Sequence, residues 1–452
     1  MRGRRGKLIA IAFILFVLGC AASSMLGDNL VWNERYNAMT SESIRKPNHN
    51  QPIKMKFGIW ESKTDIEFWT KKVKQYSLIK PNVTVEVETI PDNSGQYLKV
   101  RLAANDLPDL FYLKSGHLPI YKEAVLPLND LNATQRNKFP ATMDGDVIGL
   151  PLVSYSEYVY YHPSIFEEVG VEIPRTLDEF MDVLERIKAY GKYVPIAIGG
   201  KDEWTFYPFM EFGPAVLARD VNYLSRIAGM EKPFGAGSTF ERSATLLREI
   251  SENELAGPEA LSIGYDQATQ LFQSGQAAMI ALGQWYYSEH QSKVNYDDDL
   301  DAFAFPWRES VTEQIYSATM QDHYMAINKN TKHTDEAIAF LEWVFSPEVY
   351  QTYINNTQNT STLIDVDSTL PFFAQAKSKH PFVPFLYNGL DEKFVRIKNA
   401  AQYDEKKSGQ ELFAGAKVSD IQNRLNDNWT KAVQSIDDAG GELDGEIPSS
   451  HR

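Results

Sequence analysis

The chain has 452 residues, of which 45 are Lys or Arg and 60 are Asp or Glu, and its mean hydropathy is -0.36. These values exclude a multi-span membrane protein, and a formal net charge of -15 argues against a nucleic-acid-binding protein, which needs a basic surface to displace counterions. The single cysteine excludes a disulfide framework and a cysteine-rich metal site, while the length predicts two or three domains.

The first 19 residues have the organisation of a bacterial secretory leader. The apolar run from Leu8 to Leu18 is shorter than the roughly 20 residues that cross a bilayer, and Cys20 follows it almost directly. The basic residues that precede the run are Arg2, Arg4, Arg5 and Lys7. The segment resembles a lipobox, so we predict a lipoprotein signal peptide over 1–19 and a lipid on Cys20. A plain signal peptide with an incidental cysteine is the alternative.

Residues 20–52 are rich in Ser, Asn, Asp and Glu and show little apolar periodicity. This composition predicts a flexible tether. Cleavage before Cys20 removes four basic residues and no acidic one, which takes the formal charge from -15 to -19 (-15 - 4). We therefore expect an acidic body anchored by lipid to the cell membrane, on its extracellular side or in the periplasm.

The folded body is predicted to begin at Ile53 with an α/β unit. Ile53–Trp60 is an apolar run typical of a buried strand, and Thr64–Ser77 has apolar residues at helical spacing. A strictly alternating run from Val83 predicts a second strand, Gln96–Asn105 a second helix, and Leu110–Leu113 a third strand. The order β-α-β-α-β predicts a parallel sheet with helices on both faces.

A second α/β unit is predicted after Ile148. Ile148–Pro151 and Tyr158–Tyr161 are expected to be short strands, and Thr176 with Glu179 forms a capping box that opens a helix. Further predicted strands are Val194–Ile198, Ala277–Leu282 and Tyr324–Ile327, and further helices are Phe240–Ile250, Asp266–Gln273 and Asp335–Phe345. The chain from there to about Val433 is predicted to be helical, and residues 439–452 to be a disordered tail.

Four stretches in a fixed order carry a resemblance to a known family. They are LPDLF at 107–111; IGLP at 148–151 with YYHPSIF at 160–166; GVEIPRTLDEF at 170–180; and FQSGQAAM at 272–279 with GQW at 283–285. Behind a lipobox, they resemble the type-1, maltose-binding-like extracellular solute-binding proteins, which are the substrate receptors of ABC importers. The family usually has Tyr-Asn where Tyr161-His162 stand here, and often Trp at the position of Leu177.

The resemblance implies a two-lobed α/β fold of the periplasmic-binding-protein type. Each lobe is expected to be a mostly parallel sheet flanked by helices, and a hinge of several chain crossings to join them near 151–156, 304–308 and 350–358. The N-lobe is then 53–151 plus 308–350, and the C-lobe 152–307 plus 351–438. The implied ligand lies between the lobes, which close around it.

A carbohydrate site combines flat aromatic faces with hydrogen-bonding side chains, because sugar rings present C–H faces as well as hydroxyls. Three tryptophans stand where the cleft is expected, and the resemblance places Trp285 where family members commonly stack on sugar. The predicted ligand-binding residues are Trp60, Glu61, Lys114, Ser115, Tyr155, Trp204, Gln284, Trp285, Trp307 and Asp322. Trp69 and Trp343 fall in helical apolar stripes and are predicted to be core residues.

The resemblance implies a monomeric, non-enzymatic receptor that needs no cofactor or metal. Its expected partners are a sugar or oligosaccharide, the transmembrane subunits of an ABC permease, and the membrane through the lipid on Cys20. Two alternatives stay open. One is a surface-anchored polysaccharide hydrolase or lyase, with carboxylates such as Glu61, Asp202, Glu203 and Asp322 as candidate acids and bases. The other is a co-receptor that presents its ligand to a sensor kinase.

Overall fold

A computed structural model describes residues 52–91, 95–294, 299–368, 370–387, 389 and 391–444, with side chains as far as residue 436. The predicted leader, the predicted lipid site at Cys20 and all but the end of the predicted tether lie outside these residues. From Lys54 onward the chain forms a compact unit of its own, to which the following description applies.

Eleven strands are present among the described residues. They are β1 (Ile53–Trp60), β2 (Val83–Ile90), β3 (Leu110–Leu113), β4 (Ala141–Met143), β5 (Asp146–Tyr161), β6 (Val194–Ala197), β7 (Ala277–Gly283), β8 (Asp301–Phe303), β9 (Tyr316–Ile327), β10 (Thr360–Ser361) and β11 (Val383–Leu386). Nearly all of the strands predicted from the sequence are among them, with bounds that differ by a few residues at most, except in β5 and β9.

Helices cover most of the remaining described chain. They are α1 (Lys63–Ile79), α2 (Gln96–Ala103), α3 (Leu118–Tyr121), α4 (Asn132–Arg136), α5 (Pro163–Val169), α6 (Leu177–Tyr190), α7 (Gly213–Ala218), α8 (Tyr223–Ala228), α9 (Thr239–Glu252), α10 (Tyr265–Gln273), α11 (Tyr286–Val294), α12 (Thr334–Val344), α13 (Pro347–Thr357), α14 (Pro371–Lys379), α15 (Glu392–Ala400), α16 (Glu405–Phe413) and α17 (Val418–Asp444). Within the part of the chain that the structure describes, none of them has the length and apolar character needed to cross a membrane.

Local sequence explains where the predicted helices begin. The Ser62 hydroxyl accepts a hydrogen bond from the Asp65 amide at the start of α1, and Thr176 accepts one from the Glu179 amide at the start of α6. The apolar stripe of α1 then packs on the sheet, where Trp69 is fully buried, as predicted. The capping box read from the sequence is therefore confirmed on its hydroxyl side.

The strands form a mixed sheet in the order β2-β1-β3-β9-β5-β7-β6, with β4, β8 and β10 also on β5 and β11 on β9. β1 and β3 are parallel, as are β6 and β7, which agrees with the predicted βαβ units. The central pairs β3–β9, β5–β9 and β5–β7 are antiparallel. The sheet is therefore less parallel than the sequence order implied.

Strand β5 is continuous from Asp146 to Tyr161, whereas two short strands were predicted within this range. Its first part pairs with β9 as far as Ser156, and its second part pairs with β7 from Glu157 onward. The intervening polar residues were interpreted as a break, but their backbone stays extended because β9 supplies the hydrogen bonds. The change of partner between Ser156 and Glu157 falls next to the first predicted crossing.

The prediction of an all-helical region after residue 345 was wrong. Val383–Leu386 forms strand β11, which lies parallel to the first residues of β9. Pro384 fits there because β11 adds an edge to the sheet, where a missing amide donor is tolerated. Helix α17 extends to Asp444, into the segment predicted to be a disordered tail, although each glycine inside a helix costs about 1 kcal/mol relative to alanine.

Candidate ligand-binding site

The middle of strands β5 and β9 presents three polar side chains on one face of the sheet. Side chains alternate along a strand, so Val153, Tyr155 and Glu157 share a face. Asp322 of β9 is directly opposite Val153, and residues paired across two strands point to the same side. Tyr155, Glu157 and Asp322 are therefore brought together by the register of β5 and β9.

On one side of this face, Lys114, Asp322 and Trp60 form a group that we call the lysine side of the site. The Lys114 ammonium lies 2.6 Å from Asp322 Oδ2 and 5.2 Å from the centroid of the Trp60 ring. Burial acts to raise the pKa of the Asp322 carboxyl, but Lys114 and His323 outweigh it, so the pKa lies below its ordinary value. Asp322 is therefore ionised at neutral pH.

A second layer of polar residues supports the lysine side from behind. The Tyr353 hydroxyl donates to Asp65 Oδ1 at 3.0 Å and lies 2.9 Å from His323 Nδ1. The His323 ring stacks on Tyr112, and its backbone has the rare positive φ of 51°. This network fixes the residue next to Asp322 and so limits the orientations that Asp322 can adopt.

On the other side of the face, Glu157 is buried beside Tyr207. The Tyr207 hydroxyl donates to Glu157 Oε2 at 2.8 Å and accepts a hydrogen bond from the Gly283 amide at 2.8 Å. Glu157 Oε1 is buried and has no hydrogen-bond partner among the described residues. Burial raises the pKa of this carboxyl to about 8, Tyr207 lowers it in part, and Glu211 raises it. Glu157 is therefore largely protonated at neutral pH.

An aromatic group lies next to Glu157, and with it forms what we call the tryptophan side of the site. Trp285 and Trp204 are both half-buried, with ring centroids 6.2 Å apart. The ring of Tyr265 lies 4.8 Å from Trp204 and 6.2 Å from Trp285, and Tyr207 stacks on Trp204. The tryptophan side thus consists of Glu157, Trp204, Tyr207, Tyr265 and Trp285.

Glycine at position 283 lets the Trp285 indole and the Glu157 carboxyl approach one another. A Cβ on Gly283 would overlap the Trp285 indole nitrogen and would lie 3.1 Å from Glu157 Oε1. The two groups therefore converge on the same small space. Gly283 ends strand β7, which is why Trp285, in the turn that follows, lies beside the β5 residue that pairs with Gly283.

Tyr155 lies between the two sides. Burial raises the pKa of its hydroxyl, and the carboxyls of Asp322 and Glu157 both raise it further, so both are close to this ring. Two contacts outside the site involve the chain that follows β11. Glu392 at the start of α15 lies 3.2 Å from the Lys122 ammonium, and a Cβ on Gly389 would lie 2.7 Å from Ser115 Oγ. The chain after β11 is thus packed against residues that follow β3.

The structure brings together six of the ten predicted site residues, and the others have different surroundings. The six are Trp60, Lys114, Tyr155, Trp204, Trp285 and Asp322. Glu61 is exposed beyond the end of β1, and Ser115 is buried against Gly389. Gln284 is buried, and its amide donates to the Gln358 carbonyl instead of facing Trp285.

Trp307 has no exposed ring face. It is 3% exposed and stacks on Phe305 with centroids 4.3 Å apart. Trp307 and Glu157 both line a small cavity of about 10 Å³, which holds one water molecule at most. The residue after it, Arg308, contacts the predicted C-lobe, since the Leu177 amide donates to the Arg308 carbonyl. The lobe boundaries stay a prediction.

Sequence reasoning missed Tyr207 and Tyr265, and it set Glu157 aside because a role for that residue was thought to need a shift of register relative to Tyr155. The two-residue spacing from Tyr155 was a usable pattern for Glu157, because it places both side chains on one face of an extended strand. Tyr265 begins α10 and Tyr207 lies between β6 and α7, so both reach the site through the tertiary fold. A groove of about 500 Å³ between α10 and residues 256–263 includes none of the site residues.

The model of the family described as bacterial extracellular solute-binding protein matches residues 60–351. This chain belongs to that family. The matched range contains every residue of the lysine side and of the tryptophan side. The resemblance read from the sequence is therefore confirmed, and the site occupies a part of the chain that the family shares.

Two curated relatives of this solute-binding protein show the degree of similarity. The multiple sugar-binding protein of Streptococcus mutans is 23% identical over 320 residues, which cover 65% of this chain and 74% of that protein. The melibiose/raffinose/stachyose-binding protein of Bacillus subtilis is 26% identical over 194 residues, which cover 41% of this chain and 45% of that protein.

Solved structures superpose on this solute-binding protein over most of its length. The protein RafE in complex with raffinose gives a TM-score of 0.71 at 19% identity and covers 84% of this chain and 100% of its own. An ABC-transporter binding protein from Bifidobacterium animalis subsp. lactis in complex with mannobiose gives 0.73 at 17% identity, covering 87% and 98%. This likeness confirms the predicted two-lobed α/β fold.

Proposed function

We propose that this solute-binding protein captures a sugar or short oligosaccharide between the lysine side and the tryptophan side of the site. The observation that carries the proposal is the half-buried Trp204–Trp285 pair next to Glu157, whose Oε1 atom lacks a hydrogen-bond partner among the described residues. An aromatic surface packs on the C–H face of a sugar ring, and a buried polar atom without a partner is stabilised by a ligand hydroxyl.

The charges of the site favour a neutral ligand. The Lys114 ammonium is already neutralised by Asp322, and Glu157 is largely uncharged at neutral pH. An anionic ligand would have to displace Asp322 from Lys114, and a cationic ligand would find no free carboxylate in this group. Neutral saccharides meet neither penalty. The names of similar proteins refer to raffinose, stachyose and mannobiose, which are all neutral saccharides.

A panel of neutral sugars tests the proposal. We expect at least one member of a panel containing raffinose, stachyose, melibiose, mannobiose, mannotriose and diacetylchitobiose to raise the melting temperature of the protein. A ligand that binds only the folded state adds about 2.7 kcal/mol at a concentration of 100 Kd. Glucuronic acid and glucosamine serve as charged controls. Stabilisation by a charged control alone would contradict a site for neutral sugars.

We also propose that the protein is anchored by a lipid on Cys20 and delivers its ligand to an ABC permease. The basic leader and the apolar run before Cys20 support the anchor, and the names of several relatives refer to ABC transporters. Metabolic labelling with palmitate is expected to mark the native protein and not the Cys20→Ala variant. Deletion of the gene is expected to abolish uptake of the sugar that binds; unchanged uptake with a lost sensor response would favour the co-receptor alternative.

One observation also bears on the hydrolase alternative. The pKa of Glu157 is raised by burial, while Lys114 and His323 hold the pKa of Asp322 low, and a glycosidase uses one protonated and one ionised carboxyl. The Asp322 carboxylate, however, already accepts hydrogen bonds from the Lys114 ammonium and from the His323 amide, which disfavours a role as nucleophile or base. Incubating the purified protein with each panel sugar and analysing released monosaccharides by chromatography decides the matter, and we expect no release.

A further inference from the structure

Gln284, the residue before Trp285, forms hydrogen bonds that connect the turn carrying Trp285 to two other parts of the chain. The Gln284 amide nitrogen of the backbone donates to the Ser156 carbonyl at 2.9 Å, at the point where β5 changes its pairing partner. The Gln284 side chain donates to the Gln358 carbonyl at 2.9 Å and lies 3.4 Å from Thr360 Oγ1. Gln284 is 3% exposed, so these bonds are shielded from water.

The second fastening point has the features of a hinge. Gln358 follows α13 with a positive φ of 54°, which costs a residue with a side chain about 1 kcal/mol. Two residues later, β10 joins β5 through Thr360 and Ser154. The predicted first and third crossings between the lobes therefore lie side by side at β5 and β10. The Gln284 side chain connects the end of β7 to the third crossing.

We propose that Gln284 is a positioning residue that couples the tryptophan side of the site to the hinge. Its side chain links the turn carrying Trp285 to the Gln358–Thr360 segment, so the place of Trp285 and the angle between the lobes are set together. The proposal rests on the proposed function, because it takes Trp285 to be part of the ligand site. Gln284 itself then acts without touching the ligand.

The coupling follows from the burial of the Gln284 side-chain amide, which has few hydrogen-bond partners other than Gln358 and Thr360 within reach. A buried amide that loses its partner costs about 1–3 kcal/mol, so the turn and the hinge segment keep their contact in the arrangement described here. A lobe rotation about β5 and β10 must either carry the Trp285 turn along or break this bond. Displacement of Trp285 by a ligand is transmitted to Gln358 by the same bond.

The distance between the lobes tests this directly and needs no sugar. In the full chain carrying Cys20→Ser, cysteines introduced at Lys71 in α1 and Gln270 in α10 are the only thiols, and both positions are exposed. Spin labels on them report the interlobe distance distribution by pulsed electron resonance. We expect Gln284→Met, which keeps the side-chain length and removes only the side-chain hydrogen bonds, to shift or broaden that distribution relative to the protein with Gln284.

Two further variants make the result decisive. Thr360→Val removes only the longer contact and should change the distribution in the same direction by less. Asn328→Leu removes a buried amide bond to the Leu107 carbonyl at 3.1 Å, inside the first lobe, and should leave the distribution unchanged. An unchanged distribution in both Gln284→Met and Thr360→Val would overturn the coupling of the Trp285 turn to the hinge. Failure of the sugar panel, with a changed distribution, would overturn the proposed function and leave that coupling in place.

Discussion

The Lys114 ammonium and Asp322 Oδ2 lie 2.6 Å apart, and this ion pair joins the end of strand β3 to the middle of β9. The Asp322 side chain is 4% exposed and that of Lys114 is 28% exposed. The carboxylate therefore needs the lysine to compensate its lost hydration, whereas water can still solvate part of the lysine. Trp60, which begins the family match, lies against the same ammonium. The pair therefore belongs to the proposed ligand site and also holds β3 and β9 together.

The Lys114→Met variant should be destabilised by about 2 kcal/mol at pH 7, because Asp322 is left buried without its cation; the 28% exposure of the Lys114 side chain keeps this below the loss for a fully buried pair. The pKa of Asp322 is lowered in the folded protein, so its contribution to stability is present above its ordinary value of 3.8 and is lost as the pH falls through the folded value. The difference from the native protein should therefore shrink towards acid pH. Urea unfolding at several pH values measures this.

The exposed pair of Lys54 and Glu86 provides a matched control. Its atoms are 2.6 Å apart, but the side chains are 67% and 45% exposed. Lys54→Met should therefore cost less than about 1 kcal/mol at every pH. Equal losses for the two lysine variants would show that Asp322 does not need Lys114.

Replacing Trp285 should weaken sugar binding without unfolding the protein. Its half-buried ring loses its packing on the sugar in Trp285→Ala, and we expect an affinity about ten-fold lower, or about 1.4 kcal/mol, for the best sugar of the panel. Isothermal titration calorimetry measures the affinity. Trp343→Ala is the control, because this half-buried tryptophan contacts Tyr76 and Phe340 in the first lobe. Native affinity in Trp285→Ala would exclude Trp285 from the site.

Glu157 should give the protein a distinctive pH dependence. Burial raises the pKa of this carboxyl from its ordinary value of 4.5 to about 8, so the folded state holds a proton that the unfolded state has lost between those values. The free energy of unfolding should fall with rising pH across this window, by up to about 1.4 kcal/mol for each pH unit. Above pH 8 the contribution is constant.

The Glu157→Gln variant has no titrating group at this position and does not lose stability as the pH rises. Its stability relative to the native protein should therefore increase from pH 5 to about pH 8. Asp65, whose pKa is also raised by burial, acts equally in both proteins and cancels in the difference. Chemical denaturation at pH 5, 6.5, 8 and 9 measures the stability of both proteins. The difference between them should change by about 1 kcal/mol for each pH unit up to pH 8. A difference that does not vary with pH would mean that Glu157 is ionised in the folded protein.

Gly283→Ala should disturb the site through volume alone. The new Cβ would overlap the Trp285 indole, so the ring must move away from Glu157. We expect a change in tryptophan emission and at least a five-fold loss of sugar affinity, since about 1 kcal/mol corresponds to that factor. Gly235→Ala is the control, because its Cβ has nothing closer than 3.9 Å. Unchanged emission and affinity would show that the turn accommodates a methyl group.

Most local elements of the fold could be predicted because their patterns are local. The alternation from Val83 and the Thr176–Glu179 capping box identify β2 and the start of α6 without knowledge of the tertiary structure. Strand β5 could not be predicted at its full length, because its middle residues are held extended by β9, more than 150 residues away in the sequence. The edge strand β11 was missed for the same reason.

Residues of the candidate site could be predicted where they follow the end of a strand. Residues that reach the site only through tertiary contacts could not. Lys114 after β3 and Trp285 after β7 stand at such ends. Tyr207 lies between β6 and α7, and its hydroxyl bonds both to Glu157 in β5 and to the Gly283 amide at the end of β7, contacts that depend on the tertiary fold. Trp307 also follows a strand, but neighbouring rings cover it, and composition alone cannot distinguish a stacked core tryptophan from an exposed one.

The shared strand β5 has a consequence for how the protein unfolds. Its first part pairs with β9 and its second part pairs with β7, so one continuous strand connects both parts of the sheet, and loss of either pairing exposes backbone groups of that strand. Melting should therefore be a single cooperative transition, although the chain is long enough for two independent ones. A sugar held anywhere along this strand then protects the whole molecule against denaturation and proteolysis, including helices far from the site.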